Sequence, residues 1–443
     1  MKLSNIFVFF FLSVINSVGF SQSNVNNPIS LTAAIQRGLD GNTEILKQNL
    51  ELLKTQYGVK EAKSEGLPQL NASAGVYNNL MLSKQLLPGE FFGQPGKQVP
   101  VIFGTKYMAN GGAVLQQLLY SRQYKVGLEV ANKFDDLAKA NSAKIRQEVI
   151  YEIATVYYQA LITNRQKAII EANLARVDTS IAVALVQYKN DIIRKIDLEQ
   201  LQVDRVNVLT DLGNANMAFS VQLEQLKILI GHPLNDTLVL SDQSNDSEID
   251  VAINSILDNP ALTLLKKQED LKKLEISNIK AQSSPTITTS AAYGYQSQSQ
   301  DFKNVYGFPN SVVGLNISIP IFDGYKKQNQ IRQREVELQL MKLDQQLTEK
   351  QLNVQYKQAI SNYFHNQRAV EQQKANLNLA QKVYNVMNNN YKQGISNLTE
   401  LINIETTLRQ AQTRYLTSLL QLNISKLDVL HANGNMEELV KNN

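Results

Sequence analysis

The chain has no cysteine and no tryptophan, and charged residues make up only 19% of its 443 residues. Without cysteine there are no disulfides, thiolate metal sites, cysteine nucleophiles or lipid anchors attached through cysteine. The net charge is +4, so nothing indicates nucleic acid binding, which favours clustered basic patches. The three histidines lie far apart, and no phosphate loop, nucleophile elbow or dinucleotide fingerprint occurs. We therefore expect no enzyme, no resident metal and no cofactor.

The first 21 residues have the parts of a secretory signal peptide. Lys2 precedes an apolar core from Ile6 to Val18, and a small-x-small cleavage site follows at Gly19–Ser21. We expect the mature chain to start at Gln22, because the apolar run is short for a membrane anchor. No later segment is long and apolar enough to cross a bilayer as a helix. The sequence predicts an exported protein without a lipid anchor.

A tandem duplication is the strongest organisational signal in the chain. Three pairs of segments match in the same order: LPQLNASAGVY (Leu67) with SPTITTSAAYG (Ser284), VLQQLLYSR (Val114) with NISIPIFDG (Asn316), and YKNDIIRKIDLEQ (Tyr188) with YKQGISNLTELIN (Tyr391). The last pair is separated by 203 positions, and the first copy carries 15 extra residues between its first two segments. Those extra residues belong to a Gly- and Pro-bearing loop.

Each copy is predicted to run helix, strand, strand, long helix, turn and helix. Alternation of apolar and polar residues is typical of strands, and it places them at about 68–77, 110–120, 285–295 and 312–322. Helical segments are expected at about 31–65, 121–230, 261–282 and 325–431. The corresponding regions are a first repeat over 22–230, a linker over 231–260, a second repeat over 261–434 and a C-terminal tail over 435–443.

The long helix of each copy is predicted to be a coiled-coil helix. Apolar residues recur at steps of three and four, which makes a narrow seam: Ile145, Val149, Ile153, Val156 and Ala160 in the first copy, and Val336, Leu340, Leu343, Leu347 and Val354 in the second. At 1.5 Å per residue each helix would be roughly 100 Å long. Gly394 stands where the second long helix turns back, since glycine suits a left-handed turn, and Asp191 is its counterpart.

The predicted strands imply that several chains share one barrel. At ~10 residues each strand is long enough to cross a bilayer when tilted, and an open sheet edge in hydrocarbon would cost several kcal/mol per unpaired group. A barrel needs about eight strands, so two chains would supply eight and three would supply twelve. We favour three, because only the larger barrel leaves a wide lumen. The predicted fold class is mainly α with a membrane β-barrel part.

Four motifs carry a resemblance to a known family. LPQL at Leu67, ILIGHPL at Ile228, IPIFDGY at Ile319 and YKQGISNLTELI at Tyr391 are similar, in order and spacing, to those of TolC-type outer-membrane efflux proteins. The resemblance implies a homotrimer in the bacterial outer membrane, with a 12-stranded barrel in the lipid and a long periplasmic α-helical tunnel. It also implies a passive exit duct of a tripartite efflux or type I secretion system. An inner-membrane pump would deliver cargo to it through a periplasmic adaptor protein.

The resemblance also assigns roles to residues at the two helical turns. Contact with the adaptor is implied for Asp191, Ile192, Ile193, Gly394, Ile395 and Ser396. The gate positions of the family fall on Glu400 and Asn403 for two acidic rings, Asn397 for a basic tether, Tyr391 for a tyrosine and Asp197 for an acidic partner. One acidic ring and the tethering base are therefore absent, and Arg194 or Lys195 is the hypothetical source of the missing charge.

Other interpretations remain open from the sequence alone. Glu400 also fits an ordinary solvated residue favoured by the dipole at a helix N-terminus. A secreted coiled-coil stalk or adhesin would explain the signal peptide and the heptads, though not two symmetric pairs of bilayer-length strands. Within the conduit class, the cargo could be small toxic molecules, metal ions or whole proteins.

Overall fold

The computed structural model describes residues 28–241 and 259–441. The predicted signal peptide and most of the predicted linker lie outside the described residues. The helices are α1 Leu31–Gly41, α2 Thr43–Ser64, α3 Arg122–Lys189, α4 Lys195–Leu229, α5 Pro260–Ala281, α6 Lys326–Lys392, α7 Leu398–Asn433 and α8 Glu438–Lys441. The strands are β1 Gln69–Asn78, β2 Ser83–Pro88, β3 Gln98–Phe103, β4 Tyr107–Ser121, β5 Thr286–Ser299 and β6 Val305–Ser318.

The duplicated unit is visible in the order of the elements. In the first copy α2, β1, β4, α3 and α4 follow one another, and in the second copy α5, β5, β6, α6 and α7 do so. The long helices α3 and α6 have 68 and 67 residues, which makes each about 100 Å long. The predicted fold class, mainly helical with a strand part built from a repeated unit, is confirmed.

One antiparallel sheet joins the two copies, with strand order β1-β4-β5-β6. The central pair joins β4 of the first copy to β5 of the second, with Tyr107 opposite Ser299. Within residues 28–241 and 259–441, the two outer strands, β1 and β6, each have one partner strand. The sheet is therefore open at both edges.

Strand β6 differs from its expected position at about 312–322. It spans Val305–Ser318 and ends before Pro320, which has no N–H to donate to a ladder. It begins earlier than expected because the turn after β5 is tight: Ser299 pairs with Val305, and Phe302 has a φ of 60°. Apolar and polar residues alternate only weakly around Phe308 and Pro309, so this start has little local signal.

The extra residues of the first copy form a second, small sheet. Strands β2 and β3 pair with each other over six positions, and a short 3-10 helix at Gly89–Phe92 follows β2. Gly89 lies so close to the backbone that an added Cβ would be 2.2 Å from the Gln94 carbonyl oxygen. The sequence predicted only a loop here, which is wrong for this hairpin.

The first helix, expected to be continuous over about 31–65, is broken at Asn42. Its side-chain oxygen accepts hydrogen bonds from the backbone N–H groups of Glu44 and Ile45, so it caps α2. Its Nδ2 donates to the Leu229 carbonyl oxygen at 2.7 Å, which fixes the break against the end of α4. A tertiary contact of this kind is not readable from the local sequence.

The largest apolar core surrounds the middle of α3. Ile150, Ile153 and Tyr157 are almost fully buried there against α1, α4 and α7. The C-terminal residues also pack against this core: Met436 is fully buried, and its N–H donates to Gln147 Oε1 at 2.8 Å. The expected tail over 435–443 therefore includes packed residues. Among the helices described, none combines the length and hydropathy needed to cross a bilayer.

Candidate functional site

The two helical turns have the same hydrogen-bonded geometry. At the first turn, the Ile192 N–H donates to the Gln187 carbonyl at 2.9 Å, five residues back, and Asp191 has a φ of 60°. At the second turn, the Ile395 N–H donates to the Asn390 carbonyl at 2.9 Å, and Gly394 has a φ of 75°. Both are Schellman motifs with a left-handed residue after the helix. The duplication therefore preserves the turn at the level of individual bonds.

Each turn exposes one isoleucine. Ile192 is 68% exposed and Ile395 is 70% exposed. The residues that follow differ: Ile193 packs at the edge of an apolar cluster, whereas Ser396 is half-buried and its Oγ has no hydrogen-bond partner among the described residues. Asp191 and Gly394 are exposed. The hairpin ends thus present two apolar tips to their surroundings.

Behind the turns, all four long helices meet in one apolar cluster, which we call the tip cluster. Its buried members are Ala184, Leu198, Leu201, Tyr384, Tyr391, Leu398, Leu401 and Leu408. Residues from α3, α4, α6 and α7 are all included. The two hairpins are therefore packed together close to their ends.

Tyr391 connects the hairpins by a hydrogen bond. It is 7% exposed, and its hydroxyl donates to Gln187 Oε1 on α3 at 2.8 Å. Burial raises the pKa of Tyr391 above its ordinary value, and the negative charge of Asp197 raises it further. Of the predicted gate residues, Tyr391 and Asp197 are thus brought near each other. Gln187 was not identified from the sequence. Its only signal was its position, one turn of α3 before the loop that joins α3 to α4.

The basic residues of the first turn are engaged within their own helix. Arg194 pairs with Asp197 at 3.1 Å, and Asp197 also accepts a bond from the Arg194 backbone N–H. Lys195 pairs with Glu199 at 3.0 Å. The Arg194 guanidinium lowers the pKa of Asp197 below its ordinary value. Arg194 and Lys195 therefore have acidic partners on α4 in this structure.

The start of α7 is organised by Asn397. Its side-chain oxygen accepts the Glu400 backbone N–H at 2.9 Å, which caps the helix. Glu400 and Asn403 are exposed, and with Thr407 they lie along one face at helical spacing. The opposite face carries the buried residues of α7. Asn397 is therefore a cap in this structure, and Glu400 and Asn403 share an accessible surface.

Further from the turns, a polar layer crosses from one hairpin to the other. Arg409 on α7 forms two hydrogen bonds with Asp204 on α4, at 2.7 and 3.1 Å, and both side chains are more than four-fifths buried. Glu405 on α7 lies 3.9 Å from Arg176 on α3. Sequence analysis missed these four residues. The available signal was Glu405 itself, which interrupts the apolar 3-4 spacing that starts at Leu398.

Residues 254–435 match the family described as Outer membrane efflux protein. Outer membrane protein TolC of Vibrio cholerae is 24% identical over 314 residues, which is 69% of this chain. The match spans 64% of that TolC, just under two thirds of its length.

Solved structures share the fold over nearly the whole chain. The CmeC outer membrane channel of Campylobacter jejuni has a TM-score of 0.74 and 15% identity, covering 98% of this chain and 94% of CmeC. The outer membrane protein VceC of Vibrio cholerae has a TM-score of 0.71 and 16% identity, covering 91% of this chain and 96% of VceC. The chain is therefore similar to the outer membrane efflux protein family over residues 254–435, and it shares the fold of solved outer membrane channels over nearly its whole length.

Proposed function

We propose that the chain is the subunit of a homotrimeric exit duct, the outer-membrane component of a tripartite efflux or type I secretion system. The observation that carries the proposal is an open four-stranded sheet joined directly to two helical hairpins about 100 Å long. A secreted stalk or adhesin does not require such a sheet. The family match does not support this alternative either.

The two open edges support assembly with other copies. β1 and β6 each lack a second partner strand among the residues that the structure describes, and backbone groups left unpaired in hydrocarbon cost several kcal/mol each. Pairing β6 of one copy with β1 of the next satisfies both edges and repeats around an axis. Three copies would give twelve strands, above the eight or so at which side chains fill the interior. Apolar residues of β6, including Val313 (80% exposed) and Leu315 (62% exposed), would then face lipid.

Two exposed helical stripes support the same arrangement. The α2 stripe consists of Leu46, Leu50, Leu53 and Tyr57, and the α6 stripe of Val336, Leu340, Leu343, Leu347 and Val354; each of these side chains is 45–67% exposed. α2 leads into β1 and α6 follows β6, so pairing the two edges sets these helices side by side. The α2 stripe lies about 10–27 Å and the α6 stripe about 15–42 Å along its helix from the sheet end, so they overlap.

At the other end, the turns would receive the adaptor and form the gate. The exposed Ile192 and Ile395 offer apolar contacts to an adaptor protein. Around a threefold axis, exposed Glu400 would form an acidic ring, which attracts cations and repels itself. Asn397 and Asn403 contribute no charge, so the ring is single. Cargo would enter when the hairpins part, and the energy would come from the pump.

The test is single-channel recording from the purified protein in a planar bilayer, with the particle mass measured in the same detergent. We expect a trimer with small, cation-selective currents. Glu400→Ala should reduce cation selectivity while the trimer stays intact, and Asn403→Ala is the matched neutral control. Unchanged selectivity in Glu400→Ala would refute the ring, and a protein that never inserts would refute the duct.

A further inference from the structure

Glu405 is a charged residue in an apolar position. It lies on the seam of α7 formed by Leu398, Leu401 and Leu408, and its side chain is only 2% exposed. Its Oε1 is fully buried and has no hydrogen-bond partner among the described residues. Buried carboxylates normally accept several hydrogen bonds. Glu405 Oε1 accepts none from the described residues, so the ionised form of this side chain is poorly stabilised.

The groups facing Glu405 from α3 and α6 do not complete its hydrogen bonding. Arg176 on α3 is 3.9 Å away, and its Nε likewise lacks a hydrogen-bond partner among the residues described. The Arg176 guanidinium instead donates to Asn173 and lies 5.5 Å from the ring centroid of Tyr384 on α6. Arg176 therefore lies within ion-pair distance of Glu405 but forms no hydrogen bond with its Oε1.

The groups on α4 and α7 are paired with each other. Arg409, one turn along α7, is held by Asp204 of α4 through two hydrogen bonds. Asp204 adds a negative charge near Glu405, while Arg409 and Arg176 add positive charges. Burial raises the pKa of Glu405, and this effect outweighs the opposing arginines. Compared with an exposed glutamate, this packing shifts the balance towards the neutral acid.

We propose that Glu405 is a buried proton-binding site that links the two hairpins: it holds a proton while they are packed together and releases it when they part. The proposal rests on the proposed function, in which the parting of the hairpins opens the tunnel end. Glu405 belongs to α7 of the second hairpin and faces Arg176 on α3 of the first, so separating the hairpins would admit water to it. The exposed Glu400 ring is a different group on the opposite face of α7.

The sign of the pH dependence follows from linkage. In the closed state burial raises the pKa of Glu405, and in the open state, where water reaches the carboxyl group, the pKa would return towards its ordinary value. Protonation of Glu405 then stabilises the closed state. This stabilisation is fully present at a pH below the ordinary pKa of glutamate, and it is lost as the pH rises through the raised pKa of the closed state. Between the two pKa values, the opening equilibrium changes up to about tenfold per pH unit for each Glu405 that releases its proton. Acid closes the tunnel end, and higher pH permits opening.

The experiment uses the full-length trimer with Glu400→Gln as background, so that the ring cannot titrate. Open probability in a planar bilayer is compared across pH for this background and for the same protein with Glu405→Gln. Glu371→Gln, at an exposed position of α6, is the matched control. We expect opening to fall in acid in the background and the control, and to be low and independent of pH with Glu405→Gln. Equal pH dependence in all three proteins would overturn the proposal.

A second measurement does not depend on ion currents or on a variant that must fold. Infrared titration of the wild-type trimer should show a neutral carboxylic acid band at pH values where an ordinary glutamate, of pKa about 4.3, is ionised. A band that disappears with the ordinary carboxylates would overturn the proposal even if the protein conducts. A persistent band in a protein that gives no current would instead contradict the proposed duct.

Discussion

The two long helices occupy equivalent places in the duplicated unit but are buried very differently. α3 has fourteen buried residues, and its seam packs inside the chain against α1, α4 and α7. α6 has five, four of them tyrosines, and its stripe from Val336 to Val354 remains exposed. The long helix of the first copy therefore lies in the core of the chain, whereas that of the second copy keeps an apolar surface exposed.

The same division extends to the turns. The first turn keeps its charges within α4, through Arg194 and Asp197, whereas the second turn begins with an uncharged cap at Asn397. The connections between the hairpins lie behind the turns, in the tip cluster and the polar layer. The two copies therefore share their backbone plan, whereas the side chains at corresponding positions differ in charge and in partners.

The largest expected effect concerns the α6 stripe. Replacing Leu340 and Leu347 with glutamate should abolish the trimer, because burying each leucine contributes about 1.5–3 kcal/mol and a buried unpaired charge costs more. Helix content should remain that of the wild type. Ile153→Ala on α3 is the contrasting variant, expected to destabilise the subunit itself by about 2–5 kcal/mol. Particle mass and thermal unfolding by circular dichroism separate the two outcomes.

The next effect concerns ion pairs between helices. Removing one partner of the buried Arg409–Asp204 pair should cost about 3 kcal/mol of unfolding free energy, because the other charge is left buried. The exposed Arg205–Asp178 pair links α4 to α3, and its loss should cost about 0–1 kcal/mol. Double-mutant cycles on both pairs measure the difference. Equal coupling energies would show that the polar layer does not hold the hairpins together.

A smaller effect distinguishes two equivalent tyrosines. Tyr391→Phe removes the hydrogen bond to Gln187 and should cost about 1 kcal/mol, with more frequent opening in bilayer recordings. Tyr188, its counterpart in the first copy, is 37% exposed, so Tyr188→Phe should change neither quantity. An unaltered gate in Tyr391→Phe would remove that bond from the mechanism.

The smallest effect tests the two turns. Gly394 has a positive φ and open space around it, so Gly394→Ala should lose about 1 kcal/mol through backbone strain alone. Asp191→Gly relieves the same strain at the first turn, and we expect a gain of a few tenths of a kcal/mol at most. Denaturant unfolding of both variants measures these changes. A gain in Gly394→Ala would contradict the assigned turn geometry.

The elements with a local signal were predictable from the sequence. The alternation that indicated β1, β4 and β5 is local, and so is the glycine that marks the second turn. The break at Asn42 depends on a carbonyl of α4, and the β2–β3 hairpin on mutual pairing of two short apolar runs. Neither is fixed by the nearby residues alone.

The position of the candidate site was predictable from the sequence, but its hydrogen bonds and ion pairs were not. The matching turns located both hairpin ends, and Asn397 and Glu400 do lie at the start of α7. The polar layer was missed because its partners are far apart in the chain and meet only when the hairpins pack. Glu405 did leave a trace, as a charge on an apolar seam. A charged residue at a position of an apolar helical seam therefore indicates a buried ionisable group.

The most direct test of the account is disulfide cross-linking between the proposed neighbours. Because the chain has no cysteine, Ser73→Cys in β1 can be combined in turn with single cysteines at positions 307–315 of β6. We predict that some of these pairs yield a covalent ring of three chains upon oxidation, and that each single variant yields none. Absence of cross-links throughout that range, or a covalent product closed at two chains, would contradict the trimeric barrel.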